Sequence, residues 1–286
     1  MTTMSIKWAK LASKYRENDH AGLQVTDSPD VDLQPNVPAL RHSLQVALGI
    51  YSTELAMQTI ADSFVDDISY DDITKAVGEI EVYVCLWAKN TLHGLHIDRE
   101  HCPPGVACGN VFLNELDVKV LPTTAIHQWT HEERAFVMLL VWFLVHEMAH
   151  ALVSVLERDG KITSSSTPST ATGFVHEERV LRQYQGTSPE GYVTGERGWF
   201  LEDRLGGHLK LLEKTFALYI QRPELKKYWR VGADVVEKIL NFDYSVLPLA
   251  RSGLGESMSL ATEAYMKGRL VDDQDDEGHH KAGMKT

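Results

Sequence analysis

The chain is poor in cysteine, with 3 in 286 residues, and an odd count leaves at least one thiol outside any internal bridge. Cys102 and Cys108 lie either side of Pro103-Pro104-Gly105, near enough to bridge, but free thiols in a reducing compartment are the simpler reading. Residues 1–14 contain no apolar segment of signal-peptide length, and no Asn-x-Ser/Thr acceptor occurs. Positive charge is also scarce: 28 Lys and Arg stand against 40 Asp and Glu, a net charge of −12. That balance argues against partners such as nucleic acid or an anionic membrane surface. The unbroken apolar run at residues 135–145 is eleven long, and a membrane span needs roughly 20. A cytoplasmic protein with no membrane or nucleic-acid partner is the resulting expectation.

What is present suits a globular core. Hydrophobic content of 43% with 24% charged residues is ordinary for a soluble fold, and the length allows one large domain or two small ones. The organising stretch is residues 130–160. Thr130 followed by Glu133 reads as a capping box, and Gly160 after Arg158 as a stop. The apolar run leads directly into His146-Glu147-Met148-Ala149-His150. A helix apolar all round but too short to span a bilayer is a buried central helix. On it, His146 and His150 share a face one turn apart, the spacing needed for both imidazoles to reach one metal ion. Glu147, the next residue round, is placed to hold and deprotonate a water on that metal. Burying two histidines and a glutamate is costly unless something pairs with them, which favours a zinc site over an incidental cluster.

Along the chain, residues 4–15 read as a short amphipathic helix and 19–38 as a polar, proline-punctuated arm. Residues 39–64 carry apolar side chains at helical spacing, broken near Tyr51-Ser52 into a bent helix or two helices. Asp66-Asp67 and Asp71-Asp72 read as solvated caps rather than a cation site. Residues 79–87 alternate as a strand, and 108–121 read as a second strand shortly before the metal helix. His93, His96 and His101 fall in a loop-like stretch where no regular spacing joins them. Residues 163–172 form a Ser/Thr-rich tract read as a surface loop, and 194–219 read as a second long helix. Residues 231–240 and 257–270 read as further helices, and 271–286 as a polar, disordered tail.

A catalytic zinc usually has three protein ligands and a water. Position 156 is Leu and 159 is Asp, so no third histidine follows closely; a glutamate from a second helix is the common remaining solution. Glu202 fits best. Gly198 and Gly206 lie four residues either side, a face without side chains that lets two helices approach closely. Glu196 is the alternative third ligand, although its first-turn position has an ordinary explanation in the helix dipole. Glu177, Glu178 and Cys108 remain open as well.

The five-residue motif with a downstream helical glutamate resembles the gluzincin branch of the zinc metallopeptidases. Residues 195–207 also resemble uncharacterised zincin-like proteins of fungi. The resemblance implies an α+β, predominantly helical zincin-like fold over residues 1–270, with a small sheet and one zinc ion per chain. It implies a peptide or protein substrate lying against the strand before the metal helix, which makes Asn110, Phe112 and Asn114 candidate substrate contacts. The chain departs from the family where an acidic residue usually stands four places after the ligand glutamate: Gly206 follows Glu202 and Phe200 follows Glu196. Tyr192, His208, Tyr219 and Tyr228 are unranked candidates for an oxyanion donor. The expected activity is peptide hydrolysis with Glu147 as general base. A deformylase-like hydrolase using Cys108, and a non-catalytic zincin-like binding or toxin protein, are the alternatives.

Overall fold

The computed structural model describes residues 5–11, 23–26, 28–64, 66–85, 94–96, 105–162, 197–212, 217–222 and 227–249. Within them the fold is α+β and mostly helical. The sequence-based elements that fall wholly on 163–196 or 250–286, including the Ser/Thr tract, the last helix and the tail, lie outside the described residues.

A 28-residue helix, α5 (His131–Arg158), runs through the centre. It begins where the sequence indicates. The Thr130 hydroxyl accepts from the Glu133 backbone N–H, while the Glu133 carboxylate accepts from the Thr130 N–H at 2.7 Å. This reciprocal pair satisfies donors that a bare helix start leaves open. Gly160, at φ 66°, follows the other end. By length and composition α5 would also pass as a membrane span, yet 61% of its most apolar window is buried inside the fold.

Among the described residues four α-helices precede α5. The segment read as bent is two helices, α1 (Val37–Tyr51) and α2 (Glu54–Asp62), and the Thr53 side chain caps the second by accepting from Ala56 N–H. Helix α3 (Tyr70–Gly78) is capped by Ser69, with Asp71 and Asp72 in its first turn, where the helix dipole favours them. Ion pairs tie α3 to the end of α5: Lys75 to Asp159 at 2.9 Å, and Lys161 to Asp72 at 2.7 Å.

A five-stranded mixed sheet, in the order β2-β1-β3-β5-β4, lies beside these helices. Its strands are β1 (Ser5–Leu11), β2 (Leu23–Thr26), β3 (Glu81–Cys85), β4 (Gly94–Leu95) and β5 (Asn110–Asn114). Strand β1 pairs parallel with β3, and β3 parallel with β5. The expected helix at 4–15 is therefore corrected to a strand where the chain is described. Ile6 and Trp8 alternate with Lys7, and the parallel partner that makes use of this alternation is 76 positions away in sequence. The strand read at 108–121 is shorter than expected. Asn114 accepts from Leu116 N–H and converts the chain to α4 (Glu115–Lys119).

The largest correction concerns 194–219. Among the described residues helix α6 is Arg197–Leu205, and it ends there. Gly206 and Gly207 follow at φ 132° and 127°, a conformation that glycine adopts without the penalty a side chain carries. The chain then enters a three-stranded antiparallel sheet of β6 (His208–Leu212), β7 (Ala217–Arg222) and β8 (Lys227–Arg230), before α7 (Ala233–Leu240). Leu209, Leu212 and Ile220, expected at helical spacing, sit on these strands instead.

One apolar cluster joins these parts, drawing on α1 (Leu44, Ile50), α5 (Met138, Leu144, Met148), α6 (Leu201, Leu205), β5 (Leu113) and β7 (Ile220). A Leu144→Ala or Met148→Ala change in such a place costs about 2–5 kcal/mol.

Candidate metal centre

His146 and His150 lie on one face of α5, as their spacing requires, with ring centroids 5.3 Å apart and planes tilted by 56°. Glu147, between them in sequence, is buried. Beneath it the fully buried Tyr51 of α1 donates its hydroxyl to the Val145 carbonyl at 2.8 Å. Burial pushes the Tyr51 hydroxyl well above its ordinary range, and the Glu147 charge pushes it further.

Helix α6 brings the carboxylate. Gly198 lies flush against the His146 ring, so that an added Cβ would stand 2.6 Å from ring carbons. Glu202, one turn further along, is 7% exposed. Its Oε1 accepts from His146 Nδ1 at 2.8 Å, and its Oε2 accepts from His208 Nδ1 at 2.7 Å. At the far end of α6, the Trp142 indole N–H donates to the Gly207 carbonyl at 3.1 Å. Trp142 precedes His146 by one turn, so α6 runs antiparallel along α5 and is held at both ends. The sequence expectation that Gly198 admits a close helix is met; Gly206 serves the turn instead.

Burial alone would raise the Glu202 carboxyl, but hydrogen bonds from His146 and His208 outweigh it and hold the group below the usual glutamate range. An ionised carboxylate only accepts, so both facing Nδ1 atoms carry protons. In neutral His146 this leaves Nε2 as the lone-pair nitrogen, the one able to bind a metal.

Further along the same face, Ser154 meets His96, whose Nε2 lies 2.8 Å from Ser154 Oγ and whose Nδ1 lies 2.7 Å from the Asn110 carbonyl. His96 thereby links the β4 edge to α5; His93 and His101 lie outside the described residues. Cys108 is a half-buried free thiol, 3.8 Å from the Ser154 carbonyl, and Cys85 is a buried one. Glu177, Glu178, Tyr192 and the alternative ligand Glu196 also lie outside the described residues.

The three expected substrate contacts have work within the fold. Asn110 donates to the Ala107 carbonyl at 2.8 Å, Phe112 stacks on Tyr83 with centroids 5.0 Å apart, and Asn114 caps α4. Strand β5 is not an edge of its sheet, where an extended peptide could add as a further strand. It pairs with β3 on one side and β4 on the other, and β4 is the edge.

The donors suit zinc in kind: two imidazoles and a carboxylate on two facing helices. As they stand, Glu202 shares protons with His146 and His208. Among the described residues no group of three or more His, Cys, Asp or Glu side chains is set closely enough to hold a metal. Glu202 is the acidic side chain that α6 delivers against His146, on the Nδ1 edge of the ring. The turn that brings His208 back to Glu202 is marked in sequence only by Gly206-Gly207. Comparison of the chain with protein-family models, with curated proteins and with solved structures finds no match.

Proposed function

We propose that this chain is a zincin-like, zinc-dependent peptidase in which His146, His150 and Glu202 hold one zinc ion and Glu147 is the general base. The observation that supports this most is the meeting of the two elements. A buried helix presents two histidines one turn apart, and a second helix, admitted by Gly198, sets the Glu202 carboxylate 2.8 Å from the first of them.

Zinc bound there would supply a water of lowered pKa and polarise the scissile carbonyl. The chain's residues do the rest. The Glu147 carboxylate takes the proton from the attacking water and passes it to the departing amide nitrogen. The buried apolar run behind the histidines excludes bulk water from their inner side. Tyr51 fixes the Val145 carbonyl, and with it the turn of helix that carries His146 and Glu147.

The test is cleavage of a mixed peptide library by the purified, zinc-supplemented protein, analysed by mass spectrometry. Discrete cleavages that vanish with a chelator and in Glu147→Gln support the proposal. A zinc-loaded wild-type protein that leaves the library intact overturns peptide hydrolysis.

A further inference from the structure

We propose that the cavity between the start of α5 and the β8–α7 junction binds a free α-amino acid with an apolar side chain. The inference is independent of the proposed metal centre. Ala135 lines the cavity and precedes His146 by eleven positions on α5, about 16 Å at the helical rise of about 1.5 Å per residue.

The cavity measures about 390 Å³, within the range of about 300–1,000 Å³ usual for small-molecule sites. Its size follows from the sequence. Ala135 of α5 and Ala217 of β7 are both buried and both line it, so short side chains stand where longer ones would fill the space. The surrounding frame is tied together. The Val231 N–H donates to the Leu218 carbonyl at 2.8 Å, Arg230 pairs with Tyr219 across the sheet, and Arg134 of α5 meets Glu237 of α7 at 3.6 Å.

The polar lining carries both signs of charge. Arg230 and Asp234 line the same cavity four positions apart, and both are exposed. No ion pair joins them, and among the described residues neither side chain has another ion-pair or hydrogen-bond partner. Gly232 sets the place of the carboxylate: a Cβ there would stand 2.5 Å from Asp234 Oδ1.

A ligand of one charge is favoured by one of these groups and opposed by the other. A zwitterion satisfies both. Its α-carboxylate accepts paired N–H bonds from the Arg230 guanidinium, and its α-ammonium donates to the Asp234 carboxylate. An apolar side chain then enters the space beside Ala135 and Ala217 and leaves water.

The test is isothermal titration of the full chain with L-leucine, with L-leucinamide, which lacks the carboxylate, and with N-acetyl-L-leucine, which lacks the ammonium. Wild type is expected to bind leucine saturably, with Kd below about 1 mM. Each derivative is expected to bind about 10-fold or more weakly, because a hydrogen bond between charged groups is lost. Arg230→Gln should weaken leucine and no longer separate it from leucinamide. Asp234→Asn should weaken leucine and no longer separate it from N-acetyl-leucine. The melting temperature checks that each variant is folded, and the wild-type comparison stands without them. The titrations are repeated with a chelator, since an amino acid also binds free metal; the same affinity is expected. No saturation by about 10 mM leucine overturns the proposal, and so does binding that the chelator abolishes. A derivative that binds as tightly as leucine, or folded variants that discriminate as wild type does, overturn it as well.

Discussion

Gly198 on α6 stands directly against His146 on α5, and a Cβ at Gly198 would lie 2.6 Å from the imidazole Cγ and Cδ2. A glycine inside a helix is ordinarily improved by alanine, by about 0.5–1 kcal/mol. Here the added methyl meets a ring that Glu202 holds in place, and overpacking of this kind costs about 1–3 kcal/mol. Gly198→Ala is therefore expected to lower stability despite its better helix propensity. Urea unfolding of the two proteins measures it, and a more stable variant would show that the helices are not in contact here.

Tyr51→Phe removes the hydrogen bond to the Val145 carbonyl, a loss of about 0.5–1.5 kcal/mol at neutral pH. It also changes the alkaline limb. Burial, and then the Glu147 charge, raise the folded pKa of Tyr51 above its unfolded value. Its stabilising contribution is thus complete below an unfolded pKa of about 10 and declines as pH rises beyond it. Stability measured from neutral pH to about pH 11 is expected to fall less steeply in Tyr51→Phe than in wild type. Parallel curves would contradict the placement of this hydroxyl beneath the site.

At the other end of α5 the acid limb is affected. A hydrogen bond from Lys75, then one from Arg158, lowers the Asp159 pKa; Lys161 chiefly does the same for Asp72. Carboxylates depressed in the fold stabilise it above their unfolded pKa, and this is lost as pH falls through the folded value. Both groups are at the surface, so salt screens them. Asp159→Asn is expected to flatten the fall in melting temperature below about pH 4 in low salt and to have little effect in molar salt. An acid limb identical to wild type in low salt would count against this pair.

How much of this was legible in the chain depends on how far away each partner lies. Helix α5 carries its own capping box and apolar run, and the α1–α2 break is local to Thr53, so both are readable from neighbours in sequence. The close approach of α6 to α5 was readable too, because the absence of a side chain at Gly198 signals it; the hydrogen bond from His146 to Glu202 was not. Strand β1 was not, since its alternation is too short to outweigh a helical pattern until the parallel pairing with β3 is known. Leu209, Leu212 and Ile220 satisfy helical spacing as well as strand pairing, and Gly206-Gly207 decides between them, whereas the sequence reading places Gly206 on a helix face. With the hairpin missed, His208 had no visible partner; only the turn brings it back to Glu202.

Glu147→Gln keeps a group able to hold water but unable to take its proton. It is expected to retain zinc and to lose about 10²–10⁴-fold in turnover on any peptide the wild type cleaves. Metal content and rate measured on the same preparation check it. Near-normal turnover would remove Glu147 from the role of general base.

The most direct measurement is zinc content by elemental analysis of wild type, His146→Ala, His150→Ala and Glu202→Ala, purified side by side, with Glu196→Ala as the comparison for the alternative ligand. About one zinc per chain is expected in wild type, as tight four-coordinate sites hold their metal at neutral pH. Either histidine change and Glu202→Ala should strip most of it, while Glu196→Ala keeps it. Zinc-free wild type, or full loading in the two histidine variants, contradicts the metal centre itself. A site emptied by Glu196→Ala and left full by Glu202→Ala contradicts the assignment of its third ligand.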